Sequence, residues 1–375
     1  MTIDDSIRAL AAHSIRLIAA NQAASGAYVA SPTFAPYAFS WLRDGAFIAD
    51  AMSRHGQVTS AEAFFGWCAR ILTRRREQVE RLISAAEAGR PVSAASHLHT
   101  RYTLEGDEST IPWENFQLDG YGTWLWALAE HVRRHDRPCL EVVEGARLSA
   151  RYVAACWDEA SYDWWEEHAE HRHSSTMAAI FGGLAAVRDW DAIDADTRSR
   201  AEAAADRIRA MVAAQGVHDG HLTKWFGSDE VDASLIACAT PFRLYQPDDA
   251  IMQATIDRIE QELAPGGVHR YLDDTYYGGG EWVLLAGFLG WYYAEVGATS
   301  RANELLGWMA EQADDRGELP EQVSGHLLHP DRKAEWDRRW GPSAAPLLWS
   351  HGMLLTLVAT LDGAVRGDGP EEVST

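Results

Sequence analysis

Apolar residues along the chain recur mostly at three- and four-residue spacing. Residues 4 to 22 place Ile7, Leu10, Ile15, Leu17 and Ile18 on roughly one face and stop before Ser25-Gly26, which predicts a first helix. The same pattern predicts eleven more, over about 44–55, 60–88, 119–135, 139–157, 173–191, 194–215, 229–240, 248–263, 281–296, 300–313 and 346–364. Strand-like alternation is scarce, so the expectation is an all-α chain of twelve helices, one domain over residues 1–375.

The connections alternate in length. Those after the odd-numbered helices are long, about 23–43, 90–118, 158–172, 216–228, 264–280 and 314–345, and the five between them are short. Helices joined by short loops run antiparallel, so strict alternation gathers all six long loops at one end. That is the arrangement of an (α/α)6 barrel, and long loops inside a compact domain usually carry function.

Composition then removes several functions. A formal charge of -22 repels phosphate backbones and anionic lipid, so neither nucleic acid nor a membrane surface is an expected partner. A small neutral substrate suits this surface better. Met1-Thr2-Ile3-Asp4-Asp5 lacks the basic and apolar regions of a signal peptide, and no apolar run reaches membrane-spanning length, which predicts a soluble cytoplasmic protein. Cys68, Cys139, Cys156 and Cys238 form no CxxC pair and read as reduced core residues.

The long loops concentrate tryptophan, carboxylates and arginine. The first ends in Tyr37-Ala38-Phe39-Ser40-Trp41-Leu42-Arg43-Asp44, and the second in Trp113-Glu114-Asn115-Phe116-Gln117-Leu118-Asp119. The third holds Tyr162-Asp163-Trp164-Trp165-Glu166-Glu167-His168, the fourth Lys224-Trp225-Phe226, the fifth His269-Arg270-Tyr271-Leu272-Asp273-Asp274 and Tyr276-Tyr277-Gly278-Gly279-Gly280-Glu281-Trp282. The sixth has Glu318-Leu319-Pro320-Glu321-Gln322 and closes near Trp349-Ser350-His351. A rim of indoles, carboxylates and guanidinium groups is a carbohydrate pocket by chemistry. Asp accepting from vicinal hydroxyls and Arg donating to the same ring would fix a terminal sugar, as Arg43 with Asp44 and Arg270 with Asp273 offer.

A carboxylate pair is the remaining engine. Inverting glycoside hydrolysis needs a carboxylic acid beside the leaving oxygen and a carboxylate across the ring, about 6.5–9.5 Å away, to hold the attacking water. Adjacent side chains diverge, so Glu166 and Glu167 cannot be that pair. Glu321, in the loop facing the third across the ring, is the strongest partner, ahead of Glu318, Asp273 and Glu281. Trp164 and Trp165 would desolvate the acid and keep it protonated. His168, His171 and His173 form one histidine cluster and His97 with His99 another, but zinc needs three or four converging ligands, and no metal or cofactor is assigned. The glycines at 278–280 lack the context of a phosphate loop.

These segments together resemble glycoside hydrolase family 15, the glucoamylase-type enzymes, in register along nearly the whole chain. Tyr37 through Asp44 resembles the family's Tyr-x-x-x-Trp-x-Arg-Asp, implying that Arg43 and Asp44 grip the non-reducing terminal glucose and that Tyr37 stabilises the transition state. Trp113 with Gln117 and Asp119-Gly120 is similar to the segment whose tryptophan packs on substrate. Trp165-Glu166-Glu167 resembles the family's Trp-Glu-Glu, implying Glu166 as general acid and Glu167 as a contact on the leaving side. Arg270 and Asp273 resemble the sugar-holding pair, with Asp274 nearly as good a match. Pro320-Glu321-Gln322 is similar to the segment carrying the general base, and Leu348-Trp349-Ser350-His351 to the Thr-Trp-Ser-Tyr/His segment. With no β-sandwich ahead of the barrel and no starch-binding module behind it, the resemblance implies a short oligosaccharide, isomaltose-type α-1,6 linkages first, with α-1,4 glucoamylase or trehalase activity as alternatives. A different (α/α)6 sugar enzyme, an epimerase or inverting phosphorylase, is the rival, and a helical sugar-binding protein is the non-enzyme one. Oligomeric state is not fixed by the sequence.

Overall fold

A computed structural model describes residues 3–137 and 139–366 of the chain. Thirteen α-helices occur among them: α1 (Asp5–Ala20), α2 (Leu42–Arg54), α3 (Val58–Arg74), α4 (Arg76–Glu87), α5 (Asp119–His135), α6 (Val143–Cys156), α7 (Ser174–Arg188), α8 (Ala195–Gln215), α9 (Ala250–Leu263), α10 (Val283–Glu295), α11 (Thr299–Glu311), α12 (Pro330–Trp340) and α13 (Leu348–Arg366). A helix that is apolar all round has to be covered on every side. Helix α10 is of this kind, buried from Val283 to Tyr292, and α2 is buried without a break from Leu42 to Ser53 even though it carries Arg43, Asp44 and Asp50.

These covered elements form an inner ring. Around it, α2 touches α5, α5 touches α7, α7 touches the 3₁₀ segment Ala233–Cys238, that segment touches α10, α10 touches α13, and α13 returns to α2. An outer layer of α1, α3, α6, α8, α9 and α11 packs on the ring's outside. The result is the expected (α/α)6 barrel.

The tightest crossing is between α5 and α7. A Cβ added to Gly122 would lie 2.3 Å from the Ala179 carbonyl oxygen, and one added to Gly183 would lie 2.4 Å from the Gly122 oxygen. The two backbones therefore touch, which only glycine permits, although mid-helix glycine costs about 0.5–1 kcal/mol relative to alanine.

At the long-loop end, the loops hold one another in pairs. Strand β1 (Ser40–Trp41) pairs antiparallel with β2 (Arg101–Tyr102), joining the first loop to the second. His173 bridges Trp225, joining the third to the fourth, whose own hairpin is β3 (Val217–His218) and β4 (His221–Leu222). Strand β5 (Glu281–Trp282) pairs with β6 (Gln322–Val323), joining the fifth to the sixth.

Three expectations need correction. The helix expected over 60–88 breaks at Arg75, whose side chain turns to Glu108 and the Gly106 carbonyl of the second loop, so a tertiary contact overrides local periodicity. The one expected over 229–240 is only the 3₁₀ segment, confined between the cap at Asp232 and Pro241, which has no N–H to continue a helix. The sixth loop, expected to be a long connection, contains α12, so the twelve-helix count does not hold among the described residues. Met1 and Thr2, on which the reading of the N-terminus partly rests, and residues 367–375 of the expected domain lie outside the described residues. No helix among the described residues is long and apolar enough to cross a membrane. All four cysteines are buried free thiols.

The α5–α7 contact gives a direct test. Gly122→Ala should lower unfolding free energy by about 1–3 kcal/mol in denaturant titration, because overpacking outweighs alanine's gain in helix propensity. An equally or more stable variant would show that the two backbones do not touch.

Candidate active site

The first, second, third, fifth and sixth loops enclose a pocket of about 1200 Å³. Glu166 and Glu321 both line it, from loops on opposite sides of the ring. Glu166 sits in left-handed backbone at φ 67°, as does His168 at φ 53°. Such conformations cost about 1–3 kcal/mol in a non-glycine residue and persist only where neighbours impose them. Asp163 imposes this one, since its Oδ1 accepts from the Trp165 and Glu167 amides at 2.9 Å each and its carbonyl accepts from the Glu166 amide at 3.1 Å.

The two carboxyls are held differently. Glu166 Oε1 accepts from the Trp41 indole at 2.6 Å and from the Gln117 amide at 3.2 Å, so both donors converge on one oxygen. Burial raises its pKa above the ordinary carboxyl value, with the Arg43 charge and the nearby donors pulling the other way. Glu321 accepts on both oxygens, Oε1 from the Tyr37 hydroxyl at 2.8 Å and Oε2 from Ser343 at 3.1 Å. Burial pushes Glu321 up to about 7, against those hydroxyls and the Arg270 charge. Tyr37 is in turn 3.0 Å from the Tyr276 hydroxyl.

Around this pair lies a set of sugar-binding groups. Arg43 donates to Gln117 at 2.7 Å and to Asp119 at 3.0 Å, and its Nε lies 3.4 Å from Asp44. Burial raises Asp44 to about 6. Arg270 is bidentate to Asp274, at 2.8 and 2.5 Å, and is boxed by the rings of Trp165, Tyr271, Tyr276 and Trp282 at 5.1–5.5 Å. Glu167 turns away from Glu166 to accept from the Tyr271 hydroxyl, with Arg270 3.7 Å off. The indole nitrogens of Trp282 and Trp349 have no hydrogen-bond partner among the described residues, and Arg43 Nε and Asp44 Oδ2 meet only each other, at 3.4 Å. Buried polar groups are normally paired, and a ligand rich in hydroxyls would pair these.

The structure therefore brings Tyr37, Trp41, Arg43, Asp44, Trp113, Trp165, Glu166, Glu167, Arg270, Glu321 and Trp349 to one pocket. Asp273 is not among them. It is exposed, and the carboxylate that pairs with Arg270 is Asp274, fully buried, which also accepts from the Tyr276 amide at 2.8 Å and so caps the turn.

The expected shielding of the acid also differs. Trp164 lines the pocket but packs against Phe47, Phe288 and Trp349, and the Trp165 indole donates to Asp232, so the indole bonded to Glu166 is that of Trp41. The fourth loop does not line the pocket. Its Trp225 stacks on His171 at 4.4 Å, bracing the third loop from behind. His168, His171 and His173 do not converge: His173 Nε2 meets the His168 carbonyl at 2.9 Å while His171 lies flat on Trp225. Two other triplets, His97, Cys156 and Glu159, and Glu62, His131 and Cys139, bring potential metal-ligand atoms within 4.8 Å. Both lie outside the pocket lining.

Several pocket residues escaped the sequence reading. Arg101 is buried, stacks over Trp113 at 3.7 Å and Phe39 at 4.2 Å, and burial lowers it to about 10. Trp336 and Trp340 reach the pocket from α12, four residues apart on one helical face. That spacing, with Pro330 in the first turn, was the available signal.

Residues 6–310 match the model of Glycosyl hydrolases family 15, which takes in the third loop and stops short of Glu321. The chain is similar to isomaltose glucohydrolase of Kribbella flavida, 48% identical over 94% of this chain and 92% of that protein. It superposes on a glycosidase in complex with glucose with a TM-score of 0.93 and 46% identity, covering 96% of this chain and 99% of that one. A glucoamylase from Saccharomycopsis fibuligera, 15% identical, shares the fold with a TM-score of 0.74 over 96% of this chain and 95% of its own. The family match, together with a glycosidase relative of nearly the same length, assigns the chain to glycoside hydrolase family 15.

Proposed function

We propose that this glycoside hydrolase is exo-acting and inverting, and releases β-D-glucose from the non-reducing end of short α-gluco-oligosaccharides, isomaltose-type α-1,6 linkages first. The observation that carries the mechanism is the unequal holding of two carboxyls in one pocket. With both donors on Oε1, Glu166 keeps Oε2 for a proton, and burial favours that protonated form. Glu321 accepts on both oxygens, which favours its carboxylate against the burial that raises it to about 7, and in that ionised form it takes a proton from water.

In this reading Arg43, Asp44 and Arg270 hold the terminal glucose, with Asp274 orienting Arg270 from behind the pocket wall. Trp113, Trp165 and Trp349 supply apolar faces, and Glu167 meets the leaving sugar. Glu166 donates its proton to the glycosidic oxygen as that bond breaks. Glu321 deprotonates the water attacking the opposite face of the anomeric carbon. The α-1,6 preference rests on similarity to the isomaltose enzyme, of nearly equal length.

The same reading takes residues 1–375 as one catalytic barrel acting in the cytoplasm on a neutral sugar without metal or cofactor. Four free thiols suit a reducing compartment, and the charge of -22 suits an uncharged substrate.

Two measurements test the proposal. In initial-rate assays of glucose release, kcat/KM should be highest for isomaltose among isomaltose, maltose, nigerose and trehalose. Trehalose or maltose turned over faster would reassign the linkage. The acid limb of kcat/KM should lie above the ordinary carboxylate range, toward 7, because Glu321 must be ionised and burial raises it. Tyr37 stabilises the ionised form, so Tyr37→Phe should move that limb to higher pH. A limb near 4 that ignores Tyr37→Phe would remove Glu321 from the role of base.

A further inference from the structure

Glu321 ends a three-residue segment whose backbone polar groups are all held by neighbours. The Leu319 carbonyl accepts from the Leu347 amide at 2.9 Å, the Glu321 amide donates to the Ala344 carbonyl at 2.8 Å, and the Glu321 carbonyl accepts from the Val283 amide at 3.2 Å. The remaining two groups are met by side chains from consecutive residues at the start of α13. The Leu319 amide donates to His351 Nε2 at 2.9 Å, and the Pro320 carbonyl accepts from Ser350 Oγ at 2.8 Å. Ser350 and His351 are both completely buried, and neither lines the pocket.

The proton positions follow from donor and acceptor chemistry. A backbone amide can only donate, so His351 Nε2 carries a lone pair and its proton sits on Nδ1. Nδ1 then donates to Ser14 Oγ at 2.8 Å, and Ser14 donates to the Leu10 carbonyl at 2.9 Å. A single polarised chain thus runs from the peptide next but one to Glu321, through α13, into α1. Protonated His351 would aim N–H at N–H. The ionisable groups facing it are His13 of α1, with ring centroids 6.5 Å apart, and Asp314 of the sixth loop. Burial, helped by His13 and opposed by Asp314, lowers His351 to about 3, so it stays neutral wherever the enzyme works.

We infer that His351 and Ser350 are positioning residues for the proposed general base: they clamp the Leu319 amide and the Pro320 carbonyl just ahead of Glu321 and so aim its carboxylate at the attacking water. This rests on Glu321 being the base. A carboxylate aimed wrongly by an ångström can lose about 10²-fold in rate while the pocket still binds sugar.

The test compares His351→Leu, which removes the acceptor, His351→Gln, whose amide oxygen can accept from Leu319, and Ser350→Ala. Glu321→Ala is measured alongside, with azide as an external nucleophile that needs no positioned base. Expected are losses of about 10- to 100-fold in kcat for His351→Leu and Ser350→Ala, with KM changed by less than about threefold, and substantial recovery in His351→Gln. In the Glu321→Ala background with azide, adding His351→Leu should cost nothing more. If His351→Leu does not fold, Ser350→Ala, which deletes one oxygen, decides the question by the same readouts. Wild-type kcat in the folded variants would overturn the clamp, and so would a further loss from His351→Leu on top of Glu321→Ala, which marks a general structural role. If Glu321→Ala itself stays active, the reading of Glu321 as base has failed, and the clamp falls with it.

Discussion

The site depends on taking two carboxyls out of water without letting them settle into the same protonation state. Burial alone favours the neutral form of both. Hydrogen bonding opposes burial at both, in different geometries. The hydroxyls of Tyr37 and Ser343 occupy both oxygens of Glu321, while the Trp41 indole and the Gln117 amide share a single oxygen of Glu166. Most of these donors come from a different loop than the carboxyl they meet, so the chemistry rests on the loops being fixed relative to one another.

The barrel meets that requirement in two ways. Its inner ring is closed, with α13 returning to α2, and at the α5–α7 crossing glycine lets backbone meet backbone. Above the ring the loops pair, first with second, third with fourth and fifth with sixth. The third loop also carries its own brace, since Asp163 holds the left-handed turn that aims Glu166 and Glu167 apart. The active carboxyls thus sit on irregular backbone whose ends and middle are both tied.

Much of this was legible in the sequence, because burial and periodicity are local properties. The alternation of long and short connections was enough to predict a ring with its loops at one end, and the aromatic and acidic loop segments marked where chemistry would gather. Features decided by contacts between distant segments were not legible. The break at Arg75 depends on the second loop, and the Trp165 indole finds Asp232 rather than Glu166. Asp273 and Asp274 are equivalent as letters, and only the turn shows which one faces Arg270. Helix α12 was missed because none of its residues is fully buried, so its two tryptophans offered too narrow an apolar face for a periodicity argument. Arg101 carried no signal at all, since a guanidinium stacked among indoles is defined by its neighbours.

The division of labour between Glu166 and Glu321 is most directly tested by the configuration of newly released glucose. Proton NMR of a fresh isomaltose digest, followed over the first minutes, separates the two anomers before mutarotation mixes them. Water activated by Glu321 on the face opposite Glu166 predicts that the β-anomer rises first, with the α-anomer appearing only at the rate of mutarotation. Early accumulation of the α-anomer would contradict the account, because it would require one carboxylate to attack the sugar itself.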